Sequence, residues 1–239
     1  MRKKIKQFLK KIIKRFYANK SYGFNESNPL GGDGERVDIQ LQKKFEFEKL
    51  DIYQKNHFKR YEFAKDVIKT GDICGDFACG TGYGSVLISD KAKQITGADI
   101  DKKVISAIKK RYKHKKNITF LNENLLNLAY ENFFDAVLSF ETIEHFAEND
   151  IKRLFGIFAK SLKKGGKLIF STPYNQEENE AALKLGFHLT FYITEEKIRD
   201  WLVATGLKIE IIKYQNYDTH LIEDDLDNKD FIICVASKL

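Results

Sequence analysis

The chain has 239 residues, 43% of them hydrophobic, with 41 Lys and Arg against 34 Asp and Glu. A chain of this size can bury one sizeable core, and no apolar run approaches the roughly 20 residues that cross a bilayer, so we expect a single α/β domain rather than an integral membrane protein. Three cysteines in apolar, strand-like segments argue against both a disulfide framework and CxxC zinc ligands, which favours a reducing cytoplasm: Cys74, Cys79 and Cys234.

The first 20 residues hold nine basic residues and no acidic one, so the rest of the chain is slightly acidic. Apolar residues from Ile5 to Phe16 recur at helical spacing, which predicts a basic amphipathic helix over residues 1–20. Two interpretations stay open: peripheral contact with an anionic membrane at its inner face, or docking against a partner. Nucleic acid is not expected as a partner because the remaining domain offers no basic track.

Residues 21–69 form a second predicted region, a loop followed by a helical cap. The stretch 21–35 is rich in Asn, Ser and Gly and predicts a mobile loop that could act as a lid. From Val37 to Lys69 the spacing of the apolar residues predicts helices that lead into the main domain.

After Gly71, short apolar runs alternate with helical stretches, which predicts a mostly parallel sheet with helices on both faces. The last two runs have no helix between them and are expected to pair antiparallel at one edge. The predicted strands are Ile73–Ala78, Gln94–Ala98, Ile118–Leu121, Asp135–Phe140, Lys167–Ser171, Leu207–Lys213 and Phe231–Ala236. The predicted helices are Asp101–Tyr112, Asp150–Leu162 and Thr194–Thr205.

The first strand runs into DFACGTGYGS, where glycine would let a ligand approach the backbone. A dinucleotide GxGxxG is not matched because position 85 is Ser, and no Lys-Ser or Lys-Thr follows that would make a P-loop. Asp99, nineteen residues after Gly80, stands where a carboxylate can accept both ribose hydroxyls. Asp76 could orient the loop amides or meet a ligand ammonium through water. A ligand with adenine, ribose and an amino-acid tail fits these groups better than NAD.

Four segments, DFACGTGYGS, GADID, FFDAVLSFETIEHF and KKGGKLIFSTP, resemble in order and spacing the class I S-adenosylmethionine (SAM)-dependent methyltransferases over roughly Lys69 to Leu239. The segments ETIEHF and FHLTFYITEEKIRDWLVATGL are similar to the branch of ubiquinone-type O-methyltransferases and methyltransferases of cell-surface sugars. The resemblance implies a Rossmann-like class I fold with a mostly parallel seven-stranded sheet, SAM as cofactor, a SAM-binding domain at 70–239 and a substrate-side insertion near 173–193.

The resemblance also assigns residues to the cofactor. Gly75 departs from the larger apolar residue that is common in the first strand, and Asn124 stands where Asp is usual. The implied contacts are Ala78, Gly80 and Gly82 with the methionine part, Asp99 with the ribose, Ile100 and Asn124 with the adenine, Leu125 with the cofactor, and Phe140 as a wall of the pocket.

Methyl transfer to a hydroxyl needs aligned reactants and removal of the hydroxyl proton. His145 is the candidate base, although it could instead only shape the pocket. Glu141, Glu144 and His145 share a helical face that could hold Mg²⁺, as the resemblance implies for some relatives, but a structural face is the more frequent outcome and no metal is expected.

On the acceptor side, Tyr174, His188 and Tyr192 are expected to contact a sugar or ring, and His57, Arg60 and Tyr61 could reach the donor carboxylate. The sequence therefore predicts a SAM-dependent O-methyltransferase acting on a saccharide or glycan precursor, such as a capsule or lipopolysaccharide component. The alternatives are a lipid-quinone O-methyltransferase and an inert methyltransferase-like binding module; the oligomeric state is left open.

Overall fold

The computed structural model describes residues 36–41, 45–178 and 188–239. The predicted basic helix at 1–20 and the loop at 21–35 lie outside these residues and stay predictions. Within the described residues, none of the helices has the length and apolar character needed to cross a membrane.

An eight-stranded sheet forms the centre of the molecule, in the order β3-β2-β1-β4-β5-β8-β6-β7. Strands β1 to β5 pair in parallel, whereas β8 pairs antiparallel with both β5 and β6. The strands are β1 (Ile73–Phe77), β2 (Gln94–Asp99), β3 (Ile118–Asn122), β4 (Phe134–Phe140), β5 (Leu162–Pro173), β6 (Leu207–Gln215), β7 (Ile222–Glu223) and β8 (Phe231–Lys238).

The Rossmann-like architecture and the predicted strand positions are confirmed, with two differences. The sheet has an eighth strand, because the short β7 pairs with the end of β6 inside a segment whose polar composition predicts a loop. The antiparallel pair of β6 and β8 lies toward one edge as expected, with β8 between β5 and β6. The second difference is that β5 begins at Leu162, a residue predicted to end the preceding helix.

Helices flank the sheet as predicted, but the helices predicted from Val37 onward begin only at Phe47, because residues 36–41 and 45–46 are not helical. The longest helix among the described residues precedes the first strand. It begins at a capping box, in which Asp51 and Gln54 each accept a hydrogen bond from the other's backbone N–H. The helices are α1 (Ile52–Val67), α2 (Tyr83–Ile88), α3 (Lys102–Arg111), α4 (Glu148–Ser161) and α5 (Glu195–Val203).

The core is divided between the two faces of the sheet. Helices α4 and α5 pack on one face, where α5 contributes Trp201. Helix α1 packs on the other face through Phe58 and Tyr61. Because β1, β2 and β4 are parallel neighbours, their carboxyl ends meet at one edge, where the glycine loop, Asp99 and the segment after Phe140 come together.

Candidate functional site

A cavity of about 410 Å³ opens where β1, β2 and β4 end. Most of the residues predicted to bind the cofactor line it, together with side chains from α1 and from the segment 36–41. The lining comprises Arg36, Val37, His57, Tyr61, Ala78, Cys79, Gly80, Thr81, Tyr83, Asp99, Ile100, Asn124, Leu125, Phe140, Glu141, Thr142, His145 and Phe146.

The carboxylate of Asp99 is held by backbone amides at the cavity wall. Its Oδ2 accepts from the Gly80 N–H at 3.0 Å and its Oδ1 from the Asp101 N–H at 2.9 Å. Each oxygen keeps a second lone pair, so the group can still accept ribose hydroxyls. Gly80 has φ +50°, and a Cβ added there would meet no atom within 4 Å, so the loop leaves open space beside this carboxylate.

The other loop glycines serve packing more directly than ligand approach. A Cβ at Gly82 would lie 2.9 Å from the Phe120 ring, and Gly82 is not part of the cavity lining. Gly84 makes room for the ring of Tyr61. At Gly75, an added Cβ would lie 2.8 Å from the ring of Phe77, which gives this departure from the family pattern a physical reason.

Asp76 lies behind the cavity wall rather than in it. It is fully buried and accepts from the Tyr61 hydroxyl at 2.9 Å and the Ser85 hydroxyl at 2.5 Å. Burial raises the pKa of this carboxyl to about 6, although the hydrogen bonds from Ser85 and Tyr61 act in the opposite direction. The structure therefore gives Asp76 a supporting position, one layer away from any ligand in the cavity.

At the predicted adenine end, Ile100 and Asn124 both line the cavity. Ile100 is 67% exposed, so an aromatic base packed on it would cover apolar surface. The Asn124 side-chain oxygen already accepts from the Leu126 N–H at 2.9 Å and caps the 3-10 turn Leu125–Asn127. An adenine amino group would have to share that oxygen.

A strap, residues 36–41, was not predicted from the sequence, and its residues Arg36 and Val37 line the cavity. Val37 lines the cavity and its carbonyl accepts from the Thr81 hydroxyl at 2.9 Å. The next residue, Asp38, is fully buried and accepts from both terminal nitrogens of Arg111, at 2.6 and 3.0 Å. A lone acidic residue between apolar neighbours was the signal in the sequence, but its partner is 73 residues away.

Of the three residues of α1 expected near the donor carboxylate, His57 and Tyr61 reach the cavity and Arg60 does not. The prediction for Arg60 is wrong because its side chain is buried below the site. Its Nε donates to Gln215 Oε1 at 2.7 Å and its guanidinium lies 4.1 Å from the centre of the Phe231 ring. A terminal nitrogen is 3.2 Å from Glu141 Oε1.

Two imidazoles lie close together at the cavity, and one of them lines it. His145, in the 3-10 turn Ile143–His145, lines the cavity, and the ring of His188 lies 5.1 Å from it. Burial, and then the charge of His145, lower the pKa of His188 to about 4, so this ring is neutral near pH 7. Beside them Glu144 is buried, and its pKa is well above the usual range because of desolvation and the nearby Glu141.

The three residues predicted to contact the acceptor are not all together. His188 sits beside His145, and Tyr192 is 46% exposed in a left-handed backbone conformation. Tyr174 instead packs against the ring of Tyr214, 5.1 Å away, beside the core cluster of α4 and α5. The stacking role proposed for Tyr174 is therefore not supported by its position.

Comparison with known proteins gives a family match over the centre of the chain. Residues 75–170 match the family model described as a methyltransferase domain. A probable S-adenosylmethionine-dependent methyltransferase of Mycobacterium tuberculosis is 32% identical over 111 residues, which cover 46% of this chain and 36% of the relative. The chain thus spans little more than a third of the length of this curated relative.

Solved structures share the fold at low sequence identity. The N-methyltransferase NodS from Bradyrhizobium japonicum WM9, in complex with S-adenosyl-L-homocysteine (SAH), has a TM-score of 0.60 and 14% identity, covering 80% of this chain and 90% of that one. The [4+2]-cyclase SpnF has a TM-score of 0.60 and 17% identity, covering 77% and 80%. Because a cyclase shares the fold, the fold alone does not determine the reaction.

Proposed function

We propose that this chain, whose residues 75–170 match a methyltransferase domain, transfers the methyl group of SAM to a hydroxyl group of a saccharide or glycan precursor. One observation carries the proposal. The amide-held carboxylate of Asp99 beside the open backbone at Gly80 lies in the same cavity as the imidazole of His145.

The cofactor end fits an adenosyl amino acid on its own chemistry. Asp99 keeps free lone pairs for two vicinal hydroxyls, Ile100 offers apolar surface for a base, and Gly80 leaves space for a chain that passes the loop. These residues would hold SAM, which supplies an electrophilic methyl group on a sulfonium. The names of the curated relatives support the same cofactor.

The acceptor end favours an oxygen nucleophile. A neutral hydroxyl attacks poorly until its proton is removed, and the imidazole of His145 lies at the cavity wall where it can act on that proton. His145 can do so by accepting the proton or by binding a cation that makes the hydroxyl more acidic. The exposed ring of Tyr192, in the segment that follows His188, suits stacking on a sugar.

The test is a transfer assay with methyl-labelled SAM and a panel of acceptors. We expect label in nucleotide sugars or short glycans and none in prenylated catechols, and loss of transfer in the Asp99→Ala variant. Transfer to catechols alone would reject the saccharide and favour a lipid-quinone acceptor. Absence of SAH binding would reject the enzymatic proposal and leave an inert scaffold.

A further inference from the structure

We infer that Glu144, His145 and His188 bind a divalent transition-metal cation of the zinc type, a site that lies beyond the proposed methyl transfer and does not depend on it. Each residue offers one ligand atom, and the three atoms lie within 4.8 Å of one another. In tetrahedral zinc sites with bonds of 2.0–2.1 Å, the ligand atoms lie about 3.4 Å apart. Side-chain movements of roughly an ångström would therefore bring these three atoms to the spacing that zinc requires.

The carboxylate of Glu144 has one oxygen near the imidazole of His145. Its Oε2 accepts from the Thr172 hydroxyl at 3.0 Å, while Oε1 is buried with no hydrogen-bond partner and lies 3.9 Å from His145 Nε2. A buried carboxylate oxygen without a partner is costly, and a cation would satisfy it. Glu141 is paired with Arg60, so Glu144 is the acidic group of this turn that is left with an oxygen without a partner.

His188 is held in the tautomer that a metal ligand needs. Its Nδ1 is 2.7 Å from Gln176 Oε1, and since an amide oxygen can only accept, Nδ1 carries the proton and Nε2 keeps its lone pair. Metal-binding histidines commonly donate their other N–H to such an oxygen, which fixes the ring. Gln176 and Thr172 thus form hydrogen bonds that orient two of the three ligands, His188 and Glu144.

Backbone contacts keep His188 opposite the other two ligands. The N–H groups of Leu189 and Thr190 donate to the Glu144 carbonyl at 2.8 and 3.1 Å. The Thr190 hydroxyl donates to the Phe146 carbonyl at 2.7 Å. The segment after His188 is therefore attached to the 3-10 turn that carries Glu144 and His145.

The types of ligand atom in this group favour zinc over magnesium. Two imidazoles and one carboxylate suit zinc and similar transition metals, whereas Mg²⁺ prefers oxygen ligands in an octahedral set. In the magnesium set considered from the sequence, Glu141 Oε1 accepts from Ser171 and lies 3.2 Å from Arg60, and Glu141 is not part of the group whose ligand atoms lie within 4.8 Å of one another. Three protein ligands leave a fourth position for water or an acceptor oxygen, and His145 places the site at the cavity wall.

The experiment is zinc titration of the metal-stripped full chain by calorimetry, with Co²⁺ visible absorption as a second signal. We expect one stoichiometric Zn²⁺ and a Co²⁺ spectrum typical of tetrahedral coordination. His188→Ala should weaken zinc binding at least about 100-fold and Gln176→Ala about 10- to 100-fold. The matched control His114→Ala, at an exposed histidine, should bind as the parent does. All three cysteines are buried and do not compete.

Absence of stoichiometric zinc binding in the parent, or an affinity in His188→Ala within threefold of the parent, would overturn the inference. Thermal unfolding shows whether each variant is folded. If His188→Ala is not folded, the zinc affinity of Gln176→Ala alone tests the inference. SAH titration of the same samples separates this site from the proposed function. Zinc binding without SAH binding would reject the proposed function only, and the reverse would reject the metal site only.

Discussion

The ring of Tyr61 in α1 occupies the space that a side chain at Gly84 in α2 would need. Tyr61 also donates to Asp76 at 2.9 Å and packs edge-on against Phe140, so one residue of the lead-in helix touches the ends of β1 and β4 and the start of α2. The third glycine of GTGYG is thus explained by the docking of α1 on the domain, and Tyr61 in turn forms part of the cavity wall.

Replacing Gly84 by Ala should destabilise the protein by about 3 kcal/mol, because the Tyr61 ring is fixed by its neighbours and cannot move away. The matched control is Gly156→Ala in α4, where an added Cβ meets no atom within 4 Å and should stabilise the helix by about 0.5–1 kcal/mol. Urea unfolding of both variants measures the difference. Equal stabilities for the two variants would show that α1 does not dock as described.

Asp76→Asn should change how stability depends on pH. Since the folded-state pKa of Asp76 is raised to about 6 from 3.8, the folded protein holds a proton that the unfolded chain has lost, and stability falls as pH rises through this window. The loss is on the order of 3 kcal/mol at a scale of about 1.4 kcal/mol per pKa unit.

Asn cannot titrate, so the melting temperature of Asp76→Asn relative to the parent should increase between pH 4 and pH 6. The exposed Asp66→Asn serves as the control and should show a flat difference. A flat difference for Asp76→Asn as well would mean that the folded-state pKa of Asp76 is ordinary.

Arg111→Ala should release the strap, residues 36–41. It leaves the buried carboxylate of Asp38 without its two hydrogen bonds, at a cost of about 2–3 kcal/mol, and it loosens Val37 at the cavity wall. We expect lower thermal stability and faster dissociation of SAH in stopped-flow experiments. Arg199→Ala, which breaks an exposed pair with Glu195, should change stability by less than about 1 kcal/mol and leave SAH release as in the parent.

His145→Ala should lower turnover at least about 100-fold, whether the imidazole accepts the hydroxyl proton or binds the cation. SAH affinity should stay within about threefold of the parent, because the proposed nucleoside contacts of Asp99 and Gly80 are unchanged. His114→Ala is the control. Turnover in His145→Ala close to that of the parent would remove this residue from the chemistry.

Local patterns in the sequence were sufficient for the sheet and for one wall of the cavity. Apolar runs identified the strands, and the spacing from Gly80 to Asp99 identified two groups that the fold joins by a hydrogen bond. Contacts between distant segments could not be predicted from the sequence, because no local pattern links Asp38 to Arg111 or His145 to His188. The buried position of Arg60 was likewise missed because a charged residue on a helix is usually exposed.

Binding of an adenosyl amino acid in the cavity at Asp99 can be measured by calorimetric titration of the full chain with SAH. We predict one site in the parent and at least about 100-fold weaker binding in Asp99→Ala, which loses both acceptors for the ribose hydroxyls. Asp101→Asn, which keeps a good helix N-cap two residues away, should bind as the parent does. Undetectable binding in the parent, or equal affinity in Asp99→Ala, would contradict the account.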